Sequence, residues 1–277
     1  MQRLGILLLA LAALAGCDAA IAPVERTVGT RIVSLDYCAD QYVLRLAARE
    51  DIAALSPEAR RRYSYMREAA AGLRQVRPRA ADVLALEPDI VVRSYGGGPQ
   101  IAGFLRRSGV RVVELGYPRD LEGVRGEIER IGRELGREDA GAALLTEFDA
   151  WLAALSEAGH KRPSALYTTP TGVTAGEGTL IDELLRAAGF SNFQRRGGWN
   201  PIPLERLAYE QPDIVAAAFF EGKNYHAGSW SAARHPVLAR QLEATPLVPL
   251  EGAWTSCGAW FLLDAVEALA AARRGPG

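Results

Sequence analysis

Lysine is almost missing from these 277 residues, occurring only at Lys161 and Lys223, so arginine supplies nearly all of the 32 basic side chains that 33 acidic ones cancel. With no basic excess, holding a nucleic-acid backbone by phosphate neutralisation is excluded as a main function. Histidine is equally scarce: His160, His226 and His235 are scattered, with only the last two in one region, and no histidine-rich metal cage can be built from them. Three cysteines cannot staple a chain of this length as they would a miniprotein. No apolar run reaches the roughly 20 residues that a membrane-spanning helix needs. The sequence also lacks a G-x-S-x-G elbow, a G-x-x-x-x-G-K-[ST] loop and an H-E-x-x-H pair. Without a catalytic constellation, the expectation is a protein that is not an enzyme and uses no cofactor. What is present is apolar bulk: 49% hydrophobic against 23% charged residues leaves room for one large or two smaller packed cores.

The N-terminus has the form of an export leader. Arg3 precedes an apolar run from Leu4 to Leu14, and Leu14-Ala15-Gly16-Cys17 is similar to a bacterial lipobox. Residues 1–16 are therefore expected to be a signal peptide, Cys17 the site of lipidation, and the mature protein a periplasmic or extracytoplasmic lipoprotein anchored to a membrane. Residues 17–30 have no periodicity and read as a tether. Cys38 and Cys257 then remain as free thiols or as a bridge.

The mature chain reads as one architecture written twice. Arg31-Ile-Val-Ser-Leu35 is a strand leading into a helix; Asp82 to Val92 is a helix stopped by Pro88 and followed by a buried strand; Ile101 to Ser108 is a helix and Val110 to Leu115 a strand. Strands alternating with helices predict a parallel sheet covered on both faces. Leu84-Ala-Leu-Glu-Pro-Asp-Ile-Val91 returns as Leu207-Ala-Tyr-Glu-Gln-Pro-Asp-Ile-Val215 with one residue inserted, and a strand at Ser164 to Thr168 again leads to a helix, Leu180 to Ala188. Between the repeats, Val124, Ile128, Ile131 and Leu135, then Leu144, Leu145, Phe148, Trp151, Leu152 and Leu155, keep helical spacing, with Gly136 separating two helices. The fold expected is α/β: two doubly wound lobes, residues 31–120 and 161–277, joined through connecting helices in 121–160. The alternative is a helix packed along one large domain.

Ligands of open parallel sheets bind beyond the carboxyl ends of the strands. Those positions are aromatic here: Tyr37, Tyr95 and Tyr117 follow the strands of the first lobe, and Trp199, Tyr225, Trp230 and Trp254 occupy loop positions in the second. Rings in a cleft suit a large, flat or partly apolar ligand, and Arg93 beside Tyr95 could pair with an anionic group. Gly96-Gly97-Gly98 reads as a turn, with anion binding on its amides the alternative.

Four segments, Arg31 to Gln41, Leu84 to Val91, Gly136-Arg-Glu-Asp139 and Thr179 to Phe190, together resemble the periplasmic substrate-binding lipoproteins of ABC importers for iron-siderophore complexes and cobalamin. The resemblance covers nearly the whole mature chain. It implies two α/β lobes bridged by a long rigid helix, a ligand held between them with only small closure, and delivery to an inner-membrane permease by a monomer. It also implies that Glu205, seven residues ahead of Pro212, docks on the permease, as does Asp82, adjacent to the matching Ala81 of the first lobe. Trp199 and Trp254 resemble cleft-lining positions of cobalamin-binding members. An iron-siderophore complex, a cobalamin-like corrinoid and heme all fit such a receptor; a metal-ion receptor or an anchored hydrolase or chelatase on related lobes are the alternatives.

Overall fold

The computed structural model describes residues 29–155, 162–219 and 235–274. The first lobe is built on a parallel sheet in the order β2-β1-β3-β4, with β1 Ile32–Ser34, β2 Ile52–Ala54, β3 Ile90–Arg93 and β4 Arg111–Glu114. β3 is buried along its whole length, as a central strand reading Ile-Val-Val must be. Helices α1 (Tyr37–Leu46), α2 (Ala80–Leu84) and α3 (Ile101–Arg107) connect these strands. The edge strand β2, only three residues long, is one that the sequence pattern does not reveal.

Next, α4 (Leu121–Glu134) and α5 (Glu138–Leu155) form a helical hairpin. Gly136 turns the chain with φ near 65°, and Gly132 and Gly141 let the two helices approach closely. The hairpin touches both lobes: α4 packs on α1 and on α6 (Leu180–Ala187) of the second lobe. Arg137 pairs with Asp51, and Arg45 of α1 with Glu147 of α5.

The second lobe repeats the first. Its parallel sheet runs β10-β9-β5-β7, from β5 Ser164–Thr168, β7 Ser191–Asn192, β9 Ile214–Phe219 and β10 Leu247–Glu251. Reading β7-β5-β9-β10 against β2-β1-β3-β4 gives the same order, the same polarity and the same crossovers. The repeated octet falls at the matching place in each lobe, from α2 into β3 and from α7 (Leu204–Leu207) into β9. A short antiparallel pair, β6 (Val173–Ala175) with β8 (Trp199–Pro201), is added beside β5, and α8 (Pro236–Ala244), α9 (Gly252–Thr255) and α10 (Leu262–Arg274) complete the lobe. The largest core is continuous between the lobes, running from Ile32 and Tyr42 through Ile128 and Phe148 to Phe190 and Phe261.

Candidate ligand-binding site

The loops at the carboxyl ends of both sheets face one another, and between them lies a cavity of about 610 Å³. The first lobe lines it with Tyr117, Pro118 and Arg119, from the loop between β4 and α4. The second lines it with Gly178 to Ile181 at the start of α6, with Trp199, and with Thr255 to Gly258 from the last residue of α9 onward. A smaller cavity of about 160 Å³ shares Tyr117, Pro118, Leu180 and Ser256 to Gly258 with it and reaches inward to Cys38, Tyr42 and Ser94. Three of the entering loops end in a helix capped by its own side chain. Asp36 accepts the amide of Ala39 at α1, Asp120 that of Gly123 at α4, and Thr179 that of Asp182 at α6.

The aromatic residues divide by position. Tyr117 and Trp199 line the large cavity and are 78% and 60% exposed, large apolar surfaces that a ligand would cover. Trp199 starts β8 rather than sitting in a loop, and meets Tyr167 edge to face at 6.2 Å. Trp254 belongs to the short helix α9, also not a loop, where it is half-buried against the core and outside both cavity linings. Tyr225, Trp230 and Cys17 lie outside the described residues.

Tyr37 and Tyr95 form a second group with two residues that sequence reading passed over, Glu58 and Tyr63. Tyr37 is the first residue of α1, and its ring packs edge-on against Tyr63 at 5.1 Å and Tyr95 at 5.9 Å. The Tyr63 and Tyr95 hydroxyls both donate to the Glu58 carboxylate at 2.9 Å. Burial, reinforced by the hydrogen bond to Glu58, pushes the Tyr63 phenol up to about 12 and Tyr95 further in the same direction; burial first and the nearby carboxylates second raise Tyr37. All three remain neutral donors at physiological pH. The group adjoins the cavities through Ser256, whose carbonyl accepts from Tyr37 Oη at 3.3 Å and whose hydroxyl donates to the Tyr63 carbonyl.

The structure reassigns Arg93. Its side chain is only 5% exposed, and its guanidinium is spent on the Gly96 carbonyl, the Gly98 carbonyl and Glu114. It shapes the loop after β3 and is not free to meet a ligand anion. Of the glycine amides, that of Gly96 is given to Asp36 Oδ2 together with those of Ser94 and Tyr95, and that of Gly98 to the Tyr95 carbonyl, so the anion held by this turn is the chain's own. Gly96 permits that approach, since a Cβ there would lie 2.3 Å from the Leu35 carbonyl oxygen. The arginine in the cavity lining is Arg119, which shares the position that marks Tyr117 in the sequence: it stands in the loop after a strand, one residue before a helix cap.

The lobes are tied together beneath the cavities. Cys38 at the start of α1 and Cys257 after α9 form a disulfide with a Cα separation of 5.7 Å, which decides between the two states the sequence left open. Tyr42 Oη donates to the Gly258 carbonyl at 3.0 Å, Tyr65 stacks on Phe261 at 4.4 Å, and Gly258 fits under Pro118, where a Cβ would come within 2.4 Å of the proline ring.

A sequence profile described as periplasmic binding protein matches residues 32–245, spanning the first lobe, the hairpin and the second lobe up to the end of α8. The chain belongs to that family. Among proteins similar to this binding protein is the cobalamin-binding protein of Halobacterium salinarum, 28% identical over 141 residues, which cover 48% of this chain and 38% of that protein. The chain thus matches well under half the length of that relative. Of solved structures, the periplasmic heme-binding protein BhuT in complex with two hemes has a TM-score of 0.69 at 25% identity, over 88% of this chain and 99% of that one. A periplasmic heme-binding protein from Pseudomonas aeruginosa has a TM-score of 0.65 at 26% identity, over 88% and 92%. In the binding protein described here, Glu205 stands exposed in the first turn of α7, while Asp82, in the first turn of α2, is engaged by Arg77 at 3.0 Å. No described helix is long and apolar enough to cross a membrane.

Proposed function

We propose that this periplasmic binding protein captures a metal-bearing tetrapyrrole, of the heme or corrinoid class, in the cleft between its lobes and delivers it to the permease of an ABC importer without altering it. The observation that carries the reading is the larger cavity built by loops from both lobes, with the exposed rings of Tyr117 and Trp199 in its lining. Its volume, about 610 Å³, falls within the range of small-molecule sites, and offset rings contribute contact with a flat macrocycle at small entropic cost. Relatives named for cobalamin and heme support the tetrapyrrole branch over a siderophore chelate. Export and lipid anchoring through Cys17 belong to the same reading, since a tethered receptor would stay beside its permease.

Absorbance titration with hemin and with cyanocobalamin tests it. The wild type is expected to bind one of them at one site per chain, and a Tyr117→Ala/Trp199→Ala variant to bind it at least about tenfold more weakly, the loss expected when two ring contacts go. Equal affinity in the variant would place the site elsewhere. For docking, Glu205 offers an exposed carboxylate on α7, and the exposed ring of Tyr209 follows four residues later. A rim charge of this kind governs orientation and association more than capture. Glu205→Arg should therefore leave the titration unchanged and reduce uptake by cells; normal uptake would remove Glu205 from the docking surface.

A further inference from the structure

Fourteen residues line the large cavity and eleven the inner one, and among all of them Arg119 alone carries a charge. Its neighbours there are rings, aliphatic side chains, glycines and hydroxyls: Tyr117, Trp199, Leu180, Gly178 and Thr179 among them. Among the described residues Arg119 makes no hydrogen bond and no ion pair. The carboxylate next to it in sequence is not its partner, because Asp120 is committed to the Gly123 amide as the cap of α4, at 2.7 Å. The contrast with Arg93, whose guanidinium is fully spent, is direct.

An exposed guanidinium is solvated by water while the cleft is empty. A ligand filling the cavity strips that water away, and a neutral ligand would leave a desolvated cation facing aromatic and aliphatic groups, which is costly. A ligand with a carboxylate at that edge replaces the lost water with a forked, charge-assisted pair.

We propose that Arg119 is the anion-recognising residue of the cleft, and that it selects a macrocycle bearing a free carboxylate on one edge. The inference rests on the cleft being the ligand site. Of the two tetrapyrrole classes, heme meets the requirement, with two propionate carboxylates on one edge of its ring, whereas the ring edges of a cobalamin carry neutral amides and its one anionic group, a phosphodiester, sits in the nucleotide tail rather than on the ring edge. The apolar body of the ligand then lies between Tyr117 and Trp199 with its acidic edge toward the loop ahead of α4.

The test compares hemin with hemin dimethyl ester, which share the ring and iron and differ in the two carboxylates. Absorbance titrations use the full-length protein, Arg119→Gln and, as a reference for the cleft, Trp199→Ala, with circular dichroism to verify folding. The wild type should bind hemin about tenfold or more tightly than the ester, on the scale of one charge-assisted pair. Arg119→Gln should abolish that preference by weakening hemin alone, while Trp199→Ala should weaken both probes alike. An unchanged hemin-to-ester ratio in Arg119→Gln, or a wild type that binds cyanocobalamin and not hemin, would overturn the assignment and leave the cleft standing. If Trp199→Ala changes neither probe, the cleft reading fails, and the role of Arg119 with it.

Discussion

Asp36, Asp40 and Gln41 carry more of the site than their distance from the cavity suggests. All three are buried, within six residues of one another. Asp36 caps α1 and gathers three amides of the loop after β3, placing Tyr95. Gln41 donates to Ser64 and accepts from the Met66 amide, pinning the long connection that brings Tyr63 and Glu58 forward. Asp40 accepts the amide and hydroxyl of Ser56 at 2.9 and 2.6 Å. Burial pushes the Asp40 carboxyl up from 3.8 to about 6, against the lowering effect of the Ser56 hydrogen bonds. The folded protein therefore holds this proton more tightly than the unfolded chain does. As pH rises from about 4 to about 6, the unfolded chain ionises first and stability falls across that window. Asp40→Asn removes the dependence, so the variant's deficit against the wild type should shrink between pH 4 and pH 7. Denaturant midpoints at the two pH values measure it; a deficit that is constant, or larger at pH 7, would contradict the account.

At the scale of elements, much of the fold is legible in the chain. β3 and β5 announce themselves as β-branched or apolar runs, α4 and α5 by periodicity, and the duplication by an octet that falls at the same helix-to-strand join in both lobes. β2 is not legible, because three residues at a sheet edge carry too short a pattern. The segment after it was missed as part of the site, since Glu58 and Tyr63 gain their meaning only from partners on α1 and after β3. Arg93 shows the converse: a cation at the end of a strand reads the same whether it faces a ligand or closes its own loop. The pairing of Cys38 with Cys257 depends on the fold as well, because 219 positions separate them and only the facing of α1 and α9 brings them together. By the loop-entropy relation, a native bridge closing so long a loop contributes about 5 kcal/mol, by restricting the unfolded chain.

For the whole molecule, the consequence is a receptor with its lobes already set. A shared core, a helical hairpin in contact with both lobes, a disulfide and the Tyr42 to Gly258 hydrogen bond all lie between the two sheets. Large hinge closure needs a few residues free to absorb backbone rotation, and those contacts oppose it. On the function proposed here, capture depends on the shape and chemistry of the cleft as built: the rings of Tyr117 and Trp199 and the guanidinium of Arg119. The most direct measurement is hydrogen exchange read by mass spectrometry, with and without a saturating amount of whichever of hemin or cyanocobalamin binds. Residues 116–120 of the first lobe and 178–181, 198–200 and 255–258 of the second should gain protection together, while the outer helices α3 and α8 stay unchanged. Protection confined to one lobe, or appearing away from these four segments, would contradict a ligand held between the lobes.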